Sequence, residues 1–144
     1  MMTTIETVLL VEDNADDEEL TRLAFEENAI GAELVVVRDG PEALEYLFCS
    51  GRYAGRKDSP LPRLVLLDIK LPKVSGHEVL DSIRADERTR RLPVVMMTTS
   101  SEARDRQDSD RLGADGFLRK PVDFQSFSAA LRQVVLAWLP AAAH

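Results

Sequence analysis

Leu64-Val65-Leu66-Leu67-Asp68 is an unbroken apolar run that stops on a carboxylate. The figure recurs at Val8-Leu9-Leu10-Val11-Glu12-Asp13, and related runs close at Val94-Val95-Met96-Met97-Thr98 and Phe117-Leu118-Arg119-Lys120-Pro121. Continuous apolar character of this kind suits strands covered on both faces. Parallel strands of one sheet end along one edge, and open α/β sheets bind ligands in the crevice outside those carboxyl ends. Glu12, Asp13, Asp68, Thr98 and Lys120 are therefore expected in one pocket. Three carboxylates there repel one another and require a bound cation, and oxygen-only ligands select a hard one such as Mg2+.

Outward from those runs, short β-branched or leucine segments alternate with longer stretches of helical period, the pattern of βαβ units around a parallel sheet. Strands are expected near residues 7–12, 33–37, 64–68, 94–98 and 115–118, with Asp115-Gly116-Phe117-Leu118 weak enough for an edge. Asn14 is a good N-cap for the first helix. The acids Asp16, Asp17, Glu18 and Glu19 complement the positive end of that helix rather than adding metal ligands. The second helix starts after Asp39-Gly40 with Pro41 in its first turn and buries Ala43, Leu44, Leu47 and Phe48. The third, from Gly76, buries Val79, Leu80 and Ile83.

The last two helices differ. Glu102 to Arg111 is polar almost all round, with Ala103 and Leu112 as anchors, so it is either a moving part or a loosely packed surface helix. Phe124 to Leu139 carries the stripe Phe124, Phe127, Leu131, Val134, Val135 and Trp138, widened by Leu136 and Leu139. A surplus of that kind marks a homodimer contact through this helix and the edge strand beside it, unless Trp138 folds back over its own core. Residues 50–62, with Gly51, Gly55, Pro60 and Pro62, read as a long loop, either functional or a tolerated insertion.

A chain of 144 residues has the size of one domain, here 1–144, with a core over 7–139 and a tail at 140–144. Net charge of -7 and a pI near 4.9 argue against nucleic-acid binding. The basic cluster Arg84, Arg88, Arg90 and Arg91 is interleaved with Asp86 and Glu87 and reads as a solvated helix end. The lone Cys49 forms no internal disulfide, reads as a buried thiol and suits a reducing cytoplasm. No apolar run approaches the roughly 20 residues that span a bilayer.

Val-Glu-Asp-Asn at 11–14, Leu-Leu-Asp-Ile-Lys-Leu-Pro at 66–72, Ser-Gly at 75–76, Met-Thr-Thr-Ser at 97–100 and Lys-Pro at 120–121 together resemble the receiver domains of two-component response regulators, the CheY-like phosphoacceptor modules. The long segment before Leu64 and the late tryptophan resemble, more finely, the single-domain regulators that partner bacterial phytochrome histidine kinases. The resemblance implies an α/β, doubly wound, five-stranded parallel sheet in flavodoxin-like order 2-1-3-4-5 with five helices. It implies Asp68 as phosphoacceptor, since a strand-end carboxylate can attack phosphorus and form an acyl phosphate. Glu12, Asp13, Asp68 and the Lys70 backbone carbonyl would hold Mg2+. Lys120, aimed by a cis bond to Pro121, would meet a phosphoryl oxygen as a point charge. The Thr98 hydroxyl and Thr99 backbone would meet the phosphoryl too, and Phe117 would be the switch aromatic or a plain edge-strand ring.

Such a protein takes phosphate from a sensor histidine kinase and catalyses nothing beyond its own phosphorylation and dephosphorylation. A flavodoxin-like electron carrier shares the topology but needs a phosphate-cradling first loop, where this chain has Glu12-Asp13-Asn14-Ala15-Asp16-Asp17. A haloacid-dehalogenase-like phosphatase needs a second Asp two positions after the nucleophile, where Lys70 stands.

Overall fold

A computed structural model describes residues 6–57, 59–98, 103–120 and 123–139. Strands β1 (Thr7–Val11), β2 (Glu33–Val37), β3 (Leu64–Asp68), β4 (Val94–Thr98) and β5 (Gly116–Arg119) alternate with helices α1 (Ala15–Glu27), α2 (Gly40–Phe48), α3 (Gly76–Ala85), α4 (Ala103–Arg111) and α5 (Phe124–Trp138). All strand pairs are parallel and the order is β2-β1-β3-β4-β5, the expected 2-1-3-4-5. The three central strands are buried on both faces. Leu9, Val11, Val65, Leu67, Val94 and Met96 face α2 and α3, while Val8, Leu10, Leu64, Leu66, Val95 and Met97 face α1 and α5. Each fully buried aliphatic side chain contributes about 1.5–3 kcal/mol, so the strands whose ends carry Glu12, Asp68 and Thr98 are the most firmly held part of the molecule.

Helix starts are fixed by side-chain caps. Asn14 Oδ1 accepts from the Asp17 amide at 3.0 Å, Asp39 Oδ1 from Glu42 at 2.8 Å, Ser75 Oγ from Glu78 at 3.2 Å and Asp123 Oδ1 from Ser126 at 2.8 Å. Each is worth about 1 kcal/mol. Gly76 follows its cap for a steric reason. A Cβ there would stand 2.1 Å from the Asp68 carbonyl oxygen, so only glycine lets α3 begin against the end of β3.

Several expectations need correction. The 50–62 segment is not wholly irregular, because Gly51–Arg56 form a 3-10 helix that docks on α2. Tyr53 packs edge-on against Tyr46 with ring centroids 5.1 Å apart, Arg56 lies 3.6 Å above the Tyr46 ring, and the Tyr53 hydroxyl donates to Glu42 at 2.6 Å. Tyr46 thereby takes the buried place expected of Phe48, which is half-exposed beneath Arg88. Cys49 is likewise half-buried, in the left-handed conformation that closes α2. Ala103 is exposed and anchors nothing; the buried residue of α4 is Ser109. Leu139 is buried in the core and not surplus, whereas Leu136 and Trp138 remain half-buried. Arg84 is no solvated residue: its guanidinium donates to the carbonyls of Arg90, Leu92 and Gly113 and pairs with Asp115 at 2.8 Å. No helix among the described residues is long and apolar enough to cross a membrane.

Candidate phosphoacceptor site

At the carboxyl edge of the sheet, β1 delivers Glu12, whose amide continues the ladder to the Val37 carbonyl at 3.0 Å. Asp13 follows, exposed. β3 ends on Asp68, and the amide of Lys70 donates to its Oδ1 at 3.2 Å while the Lys70 side chain points to solvent. One carboxylate oxygen from each of Glu12, Asp13 and Asp68 lies within 4.8 Å of the others. Thr98 is buried at the end of β4 and its carbonyl accepts from the Lys120 amide at 2.8 Å.

That backbone bond places the Lys120 side chain, 9% exposed, inside the pocket. Its Nζ lies 2.5 Å from Glu12 Oε1, 2.9 Å from Asp17 Oδ2 and 3.4 Å from Asp68 Oδ2. Glu12 is fully buried, and burial, reinforced by its hydrogen bond with Asp68, pushes its carboxyl up to about 8 against the pull of Lys120. For Lys120 burial acts downward, but Asp68 and Glu12 outweigh it and raise the ammonium above the ordinary lysine value. Burial first, and Asp68 beside it, thus favour the protonated form of Glu12. A divalent cation fits this donor set: all oxygen, more negative charge than Lys120 offsets, and an acid whose proton such an ion would displace.

Glu12, Asp13, Asp68 and Lys120 thus meet at the strand ends as expected, and Thr98 closes the neighbouring strand, joined to Lys120 through its backbone carbonyl. Phe117 stands further along β5, half-buried, with the Arg106 guanidinium of α4 5.2 Å over its ring. Thr99 and the Lys120–Pro121 bond, expected to be cis, lie outside the described residues. Asp17 is the residue the sequence reading missed, having been assigned to the helix dipole alone. With Asn14 as N-cap, Asp17 is the third helical residue, and helical side chains lean toward the N-terminus. That lean aims its carboxylate back over the end of β1. Neighbouring Glu18 turns the other way and binds the guanidiniums of Arg38 and Arg22.

The family model described as the response regulator receiver domain matches residues 8–132. Response regulator Rcp1 of Synechocystis sp. (strain ATCC 27184 / PCC 6803 / Kazusa) is 35% identical over 132 residues, covering 92% of this chain and 88% of that protein. A solved structure of the Mn2+-bound form of Rcp1 matches with TM-score 0.83 at 34% identity, covering 94% of this chain and 96% of that one. The bacteriophytochrome response regulator AtBRR is 44% identical with TM-score 0.80, covering 96% and 97%. The phosphorylated cyanobacterial phytochrome response regulator RcpA is 34% identical with TM-score 0.86, covering 98% of each chain.

Proposed function

The chain belongs to the response regulator receiver domain family, and on that premise we propose that it is a cytoplasmic phosphoacceptor switch charged on Asp68 by a sensor histidine kinase of the bacteriophytochrome type. The observation that carries this reading is the approach of the Lys120 ammonium from beyond β5 to Asp68, beside an acid group from β1. One Asp68 oxygen attacks the phosphorus of a phosphohistidine. The phosphorus–nitrogen bond breaks and its electron pair stays on the departing imidazole. Phosphoryl transfer asks mainly for positioning and charge neutralisation. Glu12, Asp13, Asp68 and the Lys70 carbonyl would hold Mg2+, which when bound offsets the repulsion between Asp68 and an anionic donor. Lys120 meets one phosphoryl oxygen, and the Thr98 hydroxyl and Thr99 amide meet others. The names of the relatives, phytochrome regulators and an Mn2+-bound form, support both the partner class and the divalent ion.

Incubation with acetyl phosphate and Mg2+ should add one acid-stable, base-labile phosphoryl group by intact mass, and Asp68→Asn should add none. Undiminished labelling of that variant would sink the proposal. The new phosphoryl gives Thr98 a partner present in one state only, biasing the face formed by α4, β5 with its Phe117, and α5. We also propose that the receiver works as a homodimer through α5 and β5, with half-buried Leu136 and Trp138 at the contact. Sedimentation at micromolar concentration should give a dimer that Leu136→Glu dissociates; a wild-type monomer with and without beryllofluoride would end that idea.

A further inference from the structure

Lys120 Nζ has three hydrogens and meets three carboxylates, and its longest contact, 3.4 Å, is the one to Asp68. An ammonium has no fourth donor. A phosphoryl oxygen on Asp68 must therefore take over one of the existing bonds. Two of the three partners change during the proposed reaction, since Asp68 becomes the acyl phosphate and Glu12 belongs to the group that would hold the cation. Asp17 changes in neither way. It sits outside that group, 28% exposed on the first turn of α1, with its own amide tied to Asn14 Oδ1 at 3.0 Å.

We infer that Asp17 is a positioning residue that restrains Lys120, holding the ammonium back from Asp68 and so limiting how strongly the site grips a phosphoryl group. The inference rests on Asp68 being the phosphoacceptor. The pull is geometric: at 2.9 Å, Asp17 is nearer to Nζ than Asp68 is, and α1 is anchored by its cap, so the lysine must stretch away from Asp17 to follow a new oxygen. A purely structural Asp17 would act through the helix dipole and would move the melting temperature alone. Asp16 supplies the control, because it carries the same charge on the same turn, is exposed, and makes no contact with Lys120.

The test is titration calorimetry of the full chain with beryllofluoride in saturating Mg2+, alongside melting temperatures, for wild type, Asp17→Asn, Asp17→Glu and Asp16→Asn. Asp17→Asn should bind the mimic about two- to fivefold tighter, the range expected for releasing one partly exposed ion pair. Asp17→Glu and Asp16→Asn should stay near wild type. Unchanged or weaker binding by Asp17→Asn overturns the restraint, and so does an equal gain in Asp16→Asn, which would reduce the effect to general charge. A wild type that takes up no beryllofluoride would instead defeat the phosphoacceptor reading itself.

Discussion

Lys120 and Glu18 stand on either side of the first turn of α1, and each is a charged group drawn out of water. Lys120 is one cation among the carboxylates of Glu12, Asp17 and Asp68. Glu18 is one anion between the guanidiniums of Arg22 and Arg38. The outcomes differ in sign. Glu12 is pushed up to about 8 by burial and by Asp68, whereas at Glu18 the Arg38 and Arg22 hydrogen bonds overcome burial and hold the carboxyl below its ordinary value. At Glu18 the anion is fully matched, and the spare positive charge lies on half-exposed guanidiniums where water screens it. A cluster left with surplus negative charge is incomplete until something cationic arrives, and that deficit separates a site from a brace.

The largest effect should come from breaking the first cluster at its cation. Lys120→Met leaves three carboxylates facing one another and should cost about 2 kcal/mol in EDTA, less than a bare buried charge because Glu12 can keep its proton. Mg2+ should recover part of the loss by binding the folded state. A variant as stable as wild type in EDTA would mean the ammonium is not what holds the acids together.

The next two effects sharpen the contrast through pH. Glu12→Gln should be as stable as wild type in metal-free buffer at neutral pH, or more stable by about 1 kcal/mol, and should lose the stabilisation by Mg2+. Glu12 has a folded value above its unfolded one, so its contribution is fully present below about 4.5 and is lost as pH rises through about 8. Wild type should therefore weaken relative to Glu12→Gln on going from pH 5 to 8. Glu18 runs the opposite way. Its folded value is depressed, so its contribution is present above 4.5 and disappears as pH falls into the acid range. Glu18→Gln should cost only about 0.5 kcal/mol at pH 7, because both arginines are half-exposed, and should leave the Mg2+ response untouched. Melting curves at pH 3, 5, 7 and 8 with and without Mg2+ check both, and parallel pH profiles for the two variants would erase the distinction.

The sheet was legible because apolar runs such as Leu64 to Leu67 have one physical use, and their ends announced Glu12, Asp68, Thr98 and Lys120 together. Asp17 was not legible by the same route. Its charge was already explained by the helix dipole, and only the direction in which a third helical side chain leans shows that it also reaches Lys120. Leu139 was misjudged for a related reason: hydrophobic periodicity counts apolar positions but does not show how far the sheet extends beneath them. Arg84 and Tyr53 escaped because their partners, the Gly113 and Leu92 carbonyls and the Glu42 carboxylate, are unremarkable until the chain is folded.

The Arg84 bonds set the mechanics of α4. Gly113, just beyond that helix, is gripped through its carbonyl at 2.9 and 3.0 Å, and Ser109 Oγ meets His77 Nε2 at 3.0 Å. Both attachments fall toward the C-terminal end of a polar rod about 13 Å long, while Ala103 at the other end is exposed. If α4 is displaced while these bonds hold, it moves as a lever with its fulcrum at Ser109 to Gly113, and the Arg106 guanidinium over Phe117 moves with it. A tilt of about 10° carries the Ala103 end by roughly 2 Å over that length and leaves the fulcrum almost still.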